Sequence, residues 1–485
     1  MKPTALQGMP AFTVIWAGQV FSLIGSAMTG FAFTIWAWQK TGQATALALV
    51  GFFFMAPMVL FSPIAGALVD RWNRKLTMML SDLATGLTTI VVLGLYLGGR
   101  LEIWHLYAVG IFSGFFQAFQ WPAYSAAISQ MIPKTQFGRA SGMLSLAQWG
   151  SGIFAPVLAA ALIEPIGIAG ILIIDLVTLG VAILTLLSVP VPDPGAPLES
   201  RRSLWKDSLY GFQYILARRP LLGLQLVFFL GNFFTSLAGT LINPMVLART
   251  GDSTSILSFV RSAGAIGGVA GSLLITAWGG PRRRILGVTL GWILAGLIGY
   301  ALLGATPYVP VWIAASLVGA LFGPIINASN QAIWQSKVPP QLQGRVFSVR
   351  LVIATITAPV AMLIAGPLAD QVLEPAMRDP GSALAQTFGP IFGTGPGVGM
   401  FMIVLAMGLL TMLAGAAGLL NPTVRTVETA IPDFDAVQPG AAPTFPATPD
   451  ADAVSAAPLP SAVLTASAAP TASAGASDST PAGQA

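Results

Sequence analysis

Long apolar blocks, separated by short polar segments, run along most of the chain. Residues 76–97, 103–132 and 400–420 are three examples. Each is long enough to cross about 30 Å of hydrocarbon at about 1.5 Å per helical residue. A backbone inside a bilayer must satisfy its own hydrogen bonds, so only helices and closed barrels can span it. Because the blocks lack the two-residue alternation of barrel strands, the pattern predicts an all-α membrane protein.

Turn residues and charges divide this apolar sequence into twelve predicted transmembrane helices. They cover residues 11–38, 43–69, 75–97, 103–132, 139–163, 167–189, 220–248, 255–278, 284–304, 309–336, 344–373 and 398–420. A Pro-rich, basic segment separates the sixth helix from the seventh, and its residues 204–216 are predicted to form an amphipathic helix on the membrane surface. The expected organisation is a six-helix bundle over 1–190, a cytoplasmic linker over 191–219 and a second six-helix bundle over 220–424.

The predicted C-terminal tail covers residues 425–485, and the last 53 residues, from Asp433, contain no Lys or Arg and are dominated by Ala, Pro, Ser and Thr. Such a sequence cannot bury a core, so we expect a disordered cytoplasmic tail. A low-complexity tail without a function of its own is favoured over a targeting or regulatory segment.

A short repeat relates the two predicted bundles. The sequence Ile-Ser-Gln-Met-Ile-Pro at 128–133, followed by Gly138-Arg139, resembles Trp-Gln-Ser-Lys-Val-Pro at 334–339, followed by Gly344-Arg345. Both copies join the fourth predicted helix of their half to the fifth, so the halves are pseudo-symmetric. Parallel repeats of six helices build transporters whose substrate site lies near the membrane midplane between the halves.

The composition supports a membrane protein and fixes its expected orientation. Only 8% of the residues are charged and 55% are hydrophobic, which excludes an ordinary soluble domain. If the N-terminus is cytoplasmic, most of the 23 basic residues fall on the cytoplasmic side, as the positive-inside rule requires. The exceptions are Lys40, Arg100, Arg249, Arg261 and Arg378. We therefore expect a multi-pass protein of a bacterial inner membrane, with both termini cytoplasmic and no nucleic-acid partner.

The loop between the second and third predicted helices carries a recognisable motif. Its sequence, Gly-Ala-Leu-Val-Asp-Arg-Trp-Asn-Arg-Lys at 66–75, resembles the signature loop of the major facilitator superfamily. Asn73 stands where the family has glycine, and we expect it to be tolerated because Asn can also adopt a positive φ. The resemblance implies the major facilitator fold and a cytoplasmic gating latch, with simple positive-inside anchoring as the alternative. The latch residues would be Gly66, Asp70, Arg71, Arg74 and Lys75.

Three further segments are similar to the macrolide-efflux-like branch of that superfamily, whose members export drugs or natural products. They are residues 335–348, Gly366-Pro-Leu-Ala-Asp370 and Gly393-Thr-Gly-Pro-Gly397. This resemblance implies drug:proton antiport that is driven by the proton gradient and needs no bound cofactor. The sequence departs from the family's fifth-helix antiporter motif, Gly-Pro-x-x-Gly-Gly, which is replaced at 155–160 by Ala-Pro-Val-Leu-Ala-Ala.

Polar residues recur at helical spacing on the first, fourth, seventh and tenth helices, which line the central cavity in this fold. Spacings of three, four and seven place each set on one face. Interhelical hydrogen bonding is the alternative role for any single residue. As a set, they predict an uncharged, hydrogen-bonding surface suited to a moderately large amphipathic solute. The candidate substrate-cavity residues are Gln19, Ser26, Gln117, Gln120, Trp121, Tyr124, Asn232, Ser236, Asn243, Asn327, Asn330, Gln331 and Trp334.

Three charged residues fall well inside predicted helices and are candidates for proton coupling. Asp82 is expected to join the cytoplasmic cations Arg71 and Arg74 in preference to carrying a proton, and Asp175 is equally compatible with either role. Arg261 needs a partner, such as a substrate anion or a carboxylate, unless it reaches the outer surface, which we favour.

The sequence predicts a secondary transporter that exports small amphipathic molecules by alternating access. An importer of the same fold and a non-transporting membrane scaffold or receptor are the alternatives. An enzyme is not expected, because His105 is the only histidine and the chain has no cysteine. The expected partners are a small-molecule substrate and the lipid bilayer, and the expected state is a monomer.

Overall fold

The computed structural model describes residues 8–69, 72–133, 136–190 and 204–433. Within these ranges the secondary structure is helical, with no β-strand. The first half contributes six helices. They are α1 (Gly8–Thr41), α2 (Ala44–Val69), α3 (Arg74–Leu97), α4 (Ile103–Met131), α5 (137–166) and α6 (168–188). A break at Gly167, whose φ is 66°, separates α5 from α6, because a glycine adopts this left-handed conformation at little cost.

The second half begins with a linker helix (Leu204–Leu216) and also contributes six long helices. They are α7 (Arg219–Thr250), α8 (Thr254–Trp278), α9 (Arg284–Leu294, continued by a π-helical turn at Ala295–Ala301), α10 (Val309–Lys337), α11 (340–378) and α12 (Val398–Leu420). α11 is built from Pro340–Thr355, Thr357–Pro367, a π-helical turn at Leu368–Leu373 and Glu374–Arg378. A short helix, Ala383–Phe392, lies in the connection to α12.

The predicted twelve-helix, all-α fold is confirmed. Ten helical stretches of the described residues are long and apolar enough to cross a membrane, and one of them, Arg139–Ser188, contains both α5 and α6. The remaining span is α4, whose 29 residues suffice in length.

Pairing between helices follows the two halves of the chain. α1 packs on the α5–α6 pair and α2 on α4, while α8 packs on α10 and α7 on α12. The halves meet where α5 packs on α8 and where α2 packs on α11. Glycines make the closest approaches possible, since a Cβ on Gly267 would overlap the Leu317 carbonyl oxygen of α10.

The apolar core differs between the two ends of the bundle. We call the end at which α1 begins and α12 ends the terminal end, and the opposite end the far end. At the far end, one cluster of buried residues combines both halves and includes Ile35, Trp38, Leu241 and Phe401. At the terminal end, the buried clusters of the described residues each belong to one half.

Two segments at the terminal end differ from their predicted surroundings. Tyr214 and Ile215 of the linker helix are buried against Val346 and Val349 of α11, so its apolar face packs on the protein. Residues 425–433, predicted to belong to the disordered tail, are folded as well. The Glu428 carboxylate accepts hydrogen bonds from the backbone N–H groups of Arg284 and Ile285 at 3.0 and 3.1 Å, which caps α9.

The sequence-based boundary at 425 was therefore too early. Lys337 at the end of α10 also secures this segment, donating to the Ile431 carbonyl at 2.6 Å and pairing with Asp433 at 2.8 Å. Low complexity begins only after these contacts. Residues 434–485, with the rest of the predicted tail, lie outside the described residues. The division into bundles at 190 and 220 stays a prediction.

Candidate transport cavity

Two adjoining cavities lie at the centre of the described bundle. The first, of about 930 Å³, is lined mainly by the first half, and the second, of about 1060 Å³, mainly by the second half. Five residues line both cavities, and they mark the junction between them: Gly30, Thr34, Gln148, Asn243 and Arg261.

Asp82 on α3 lines the first cavity and is hydrogen-bonded to two glutamine side chains. Gln120 of α4 donates to its Oδ1 at 2.6 Å, and Gln19 of α1 donates to its Oδ2 at 3.1 Å. The residue is only 3% exposed. Its predicted place in a charge cluster with Arg71 and Arg74 stays a prediction, because Arg71 lies outside the described residues, and both described hydrogen bonds of the carboxylate are to α1 and α4.

Asp175 on α6 also lines the first cavity, and three hydroxyl groups hold it. Ser26 donates to its Oδ1 at 2.9 Å, while Thr29 and Thr89 donate to its Oδ2 at 3.1 and 3.2 Å. Its exposure is likewise 3%. Both buried carboxylates are thus satisfied by uncharged donors alone, as far as the described residues extend.

The polar face of α1 accounts for the placement of both carboxylates. Gln19 and Ser26 are seven residues apart, so they lie two turns apart on one helix face and reach Asp82 and Asp175 in turn. Gly25 allows this face to approach α6, since a Cβ there would overlap the Thr178 side chain. The stripe read from the sequence therefore serves a hydrogen-bond network as well as the cavity wall.

Three more predicted residues, all on α4, line the first cavity: Gln117, Trp121 and Tyr124. Trp121 is 56% exposed, and its side chain borders the first cavity. The Tyr124 hydroxyl is buried without a hydrogen-bond partner among the described residues. α4 therefore offers amide, indole and phenol groups to a solute.

The predicted polar residues of α7 divide between the two cavities. Ser236 lines the first cavity, Asn232 lines the second, and Asn243 lines both. Of the four predicted residues of α10, Asn327 lines the second cavity. The Asn232 and Asn327 side chains donate to carbonyl oxygens one turn earlier, at 2.7 and 2.9 Å.

Three residues predicted to contact substrate lie elsewhere. Asn330, Gln331 and Trp334 line neither cavity, and they form a cluster with Arg350 of α11. Trp334 donates to the Asn330 Oδ1 at 3.2 Å, and Arg350 donates to the Gln331 Oε1 at 3.3 Å while its guanidinium lies 4.4 Å from the Trp334 ring centroid. Gln331 therefore has the alternative role, an interhelical hydrogen bond, and Asn330 and Trp334 bond to each other within α10.

Arg261 on α8 lines both cavities at their junction. This placement differs from the favoured expectation, a side chain that reaches the outer surface. Protein surrounds it at this depth, but its side chain is exposed to the cavity space. Among the described residues no carboxylate lies within 4 Å of its guanidinium. Tyr300 of the π-helical turn lines the second cavity together with Arg261.

Sequence reasoning missed several cavity residues, among them Gln148 on α5 and Tyr300 on α9. Both are polar side chains in otherwise apolar spans, which was a usable signal. Neither residue lies on the first, fourth, seventh or tenth helix, the four that the sequence analysis expects to line the cavity.

The predicted gating motif is described only in part. Asp70 and Arg71 lie outside the described residues, so the latch itself stays a prediction. Gly66 falls in the last turn of α2, and Arg74 begins α3. Lys75 donates to the carbonyl oxygens of Leu187 and Val189 at 3.1 and 2.8 Å, which caps the end of α6.

Asn73 has a different role from the expected one. Its φ is −63°, and its side chain caps α3 by accepting a hydrogen bond from the Leu76 N–H at 2.9 Å. Asparagine is therefore accepted in place of glycine as an N-cap, and a positive φ is not needed.

Comparison with known proteins agrees with this architecture. The sequence model of the Major Facilitator Superfamily matches residues 15–362. The chain belongs to this superfamily. Macrolide efflux protein A of Streptococcus pyogenes is 27% identical to it over 367 residues, which is 74% of this chain and 90% of the relative. Enterobactin exporter EntS of Shigella flexneri is 26% identical over 352 residues, or 70% and 80% of the two chains.

The fold is also that of solved superfamily transporters. A bacterial homologue of the human lysosomal transporter Spinster, in an inward-facing and unoccupied conformation, superposes with a TM-score of 0.62 at 15% identity, covering 87% of this chain and 98% of that one. The chain is thus a multi-pass membrane transporter of the macrolide-efflux-like branch, and not an enzyme.

Proposed function

We propose that this transporter exports amphipathic small organic molecules from a bacterial cytoplasm in exchange for protons. It would work by alternating access as a monomer in the plasma membrane, with both termini cytoplasmic and with the proton gradient in place of a cofactor. The observation that carries the proposal is the pair of buried carboxylates, Asp82 and Asp175, in the wall of the central cavity.

The neutral surroundings of these carboxylates suit proton exchange. A carboxylate bound to an arginine would lose an ion pair on protonation, whereas the partners here are amides and hydroxyls. A serine or threonine hydroxyl can rotate from donor to acceptor, and a glutamine amide offers an oxygen as well as a nitrogen. Each network can therefore accommodate either protonation state with local rotations.

The remaining lining supports an organic substrate of moderate size. The cavities together exceed the usual range of about 300–1,000 Å³ for a small-molecule pocket. They combine amides and hydroxyls with the aromatic surfaces of Trp121, Trp149 and Trp292. Export is favoured over import because the relatives above are named as efflux and exporter proteins.

Inverted membrane vesicles provide the test, because respiration acidifies their lumen and an exporter then accumulates substrate inside. Suitable probes are labelled erythromycin and the neutral dye N-phenyl-1-naphthylamine. We expect accumulation that a protonophore abolishes and that Asp82→Asn or Asp175→Asn reduces to the level of vesicles lacking the protein. Exchange of labelled for unlabelled probe without a gradient should survive in these variants, since it needs binding but no net proton transfer.

Asp379→Asn is the matched control, because Asp379 is an exposed carboxylate outside both cavities. It should behave as the wild type. Normal gradient-driven accumulation in both cavity variants would contradict the proposed proton sites. Accumulation only with the opposite gradient would identify an importer. No transport of either probe would favour the other alternative, a non-transporting membrane scaffold or receptor.

A further inference from the structure

We propose that Arg261 forms an anion-binding subsite, so that the preferred substrates are amphipathic molecules carrying a carboxylate, sulfonate or phenolate group. This inference rests on the proposed function and specifies its substrate class. The acidic group would bind at the junction of the two cavities, and the apolar body of the molecule would extend into the second cavity.

The position of Arg261 is the first step. It lines both cavities, and it is the one charged side chain among the described residues that line the second. Arg261 is the eighth residue of α8, so it lies about 10 Å along the helix from the far end. A cation at this depth is costly unless an anion or water compensates for its lost hydration.

The two nearby carboxylates do not supply that compensation. Asp82 and Asp175 already accept hydrogen bonds from glutamine, serine and threonine side chains of the first half. Neither forms an ion pair with Arg261, whose guanidinium faces cavity space. A planar guanidinium presents paired N–H donors that match an oxyanion, so a ligand anion completes the site.

The surrounding residues fit the rest of such a ligand. Gln148 and Asn243 share the junction with Arg261, and the buried Asn243 Oδ1 and Trp292 Nε1 have no hydrogen-bond partner among the described residues. Trp149 and Trp292 supply apolar walls to the second cavity. The arrangement joins one positive charge to polar and aromatic surfaces, as recognition of an amphipathic acid requires.

A pair of dyes that share one ring system isolates the charge. 1-Anilinonaphthalene-8-sulfonate carries an anionic sulfonate, and N-phenyl-1-naphthylamine lacks it. Binding to the purified full-length protein in nanodiscs is measured by energy transfer from tryptophan, after subtraction of empty nanodiscs. We expect Arg261→Gln to weaken binding of the sulfonate dye at least tenfold and that of the neutral dye less than twofold.

Two further variants complete the design. Arg261→Lys keeps the charge and should hold the sulfonate dye within about threefold of the wild type. Arg378→Gln removes an exposed arginine outside both cavities and should change neither dye. Unchanged binding of the sulfonate dye in Arg261→Gln, equal loss of both dyes, or no binding of the sulfonate dye to the wild type would each overturn the subsite.

The binding measurement needs no proton gradient, so it separates this inference from the proposed function. Selective loss of the sulfonate dye, together with no gradient-driven accumulation in vesicles, would retain the subsite and reject proton antiport. Proton-driven export of erythromycin, with the sulfonate dye unaffected by Arg261→Gln, would retain antiport and reject the subsite.

Discussion

The far end and the terminal end of the bundle are held together in different ways. At the far end a single apolar cluster combines both halves, whereas at the terminal end each cluster of described residues stays within one half. Polar contacts follow the same division. At the far end, Trp38 of α1 donates to Asp252 at 2.7 Å, and Asp370 of α11 accepts hydrogen bonds from the N–H groups of Ala44 and Thr45 at 3.1 and 2.7 Å.

This difference shows where the halves are locked in the present conformation. Asp370 caps the N-terminus of α2, where a carboxylate is favoured by unpaired N–H groups and by the helix dipole. One turn earlier, Gly366 lies so close to Thr45 that a Cβ would overlap its backbone. Under the proposed alternating access, these contacts close the far end and must break when the cavity opens there.

We call the far-end contacts of Trp38, Asp370 and Gly366 the far-end lock. One pair of spin labels can test it, because the chain has no native cysteine. Spin labels at Arg100→Cys and Tyr308→Cys would sit on exposed far-end loops of the two halves. Pulsed electron paramagnetic resonance then gives the ratio of long to short distances, which reports far-end opening. Three substitutions should raise this ratio by decreasing amounts.

Gly366→Leu should have the largest effect. The new side chain cannot fit against the Thr45 backbone, and overpacking of this kind costs about 1–3 kcal/mol. The ratio of open to closed far ends should therefore rise by about fivefold to 150-fold. Gly395→Leu is the control, because a Cβ at Gly395 would meet open space, and it should leave the ratio unchanged. Equal ratios in the two variants would contradict a role for the Gly366 contact.

Asp370→Asn should have an intermediate effect. Asparagine retains one acceptor oxygen but loses the second acceptor and the negative charge at the α2 N-terminus. Loss of a helix cap and its charge costs about 0.5–2 kcal/mol, which corresponds to an increase of about twofold to thirtyfold in the open ratio. Asp379→Asn removes a neighbouring exposed charge and should have no effect. A ratio that stays at the wild-type value in Asp370→Asn would show that the cap does not stabilise the closed end.

Much of the fold could be predicted from the sequence, because membrane thickness fixes helix length and backbone chemistry allows few alternatives. The predicted ends of most spans lie within a few residues of the observed ends, and the break between the fifth and sixth helices falls at Gly167. The interruption of α11 at Ile356 was not predicted, because a local change of backbone hydrogen bonding inside an apolar block leaves hydropathy unchanged. The folded stretch 425–433 was missed because Glu428 caps the N-terminus of α9, which is distant in the sequence.

The candidate site was only partly predictable, because helical spacing defines a face but does not say what the face meets. The stripe on α1 indicated its polar face, and its partners Asp82 and Asp175 became evident only from packing. On α10 the same reasoning failed. Gln331 and Trp334 contact Arg350 of the next helix, in a cluster away from the cavities. Asp370 was noticed only as part of a family resemblance, since nothing local in the sequence indicates that it caps α2.

Trp38→Phe should have the smallest effect of the three. It removes the indole N–H that bonds to Asp252 but keeps an aromatic ring in the far-end cluster. A hydrogen bond of this kind contributes about 0.5–1.5 kcal/mol. Because Asp252 is exposed, water can replace the lost donor, so we expect an increase in the open ratio of about twofold to fivefold.

A double-mutant cycle shows whether the effect of Trp38→Phe belongs to this hydrogen bond. Asp252 has a φ of 66°, which Gly adopts at little cost, so Asp252→Gly removes the acceptor without straining the backbone. If Trp38 acts through Asp252, the double variant should open the far end less than the product of the two single effects. Strictly multiplicative effects would mean that Trp38 stabilises the closed far end through its apolar packing alone, and Asp370 would then provide the polar part of the lock.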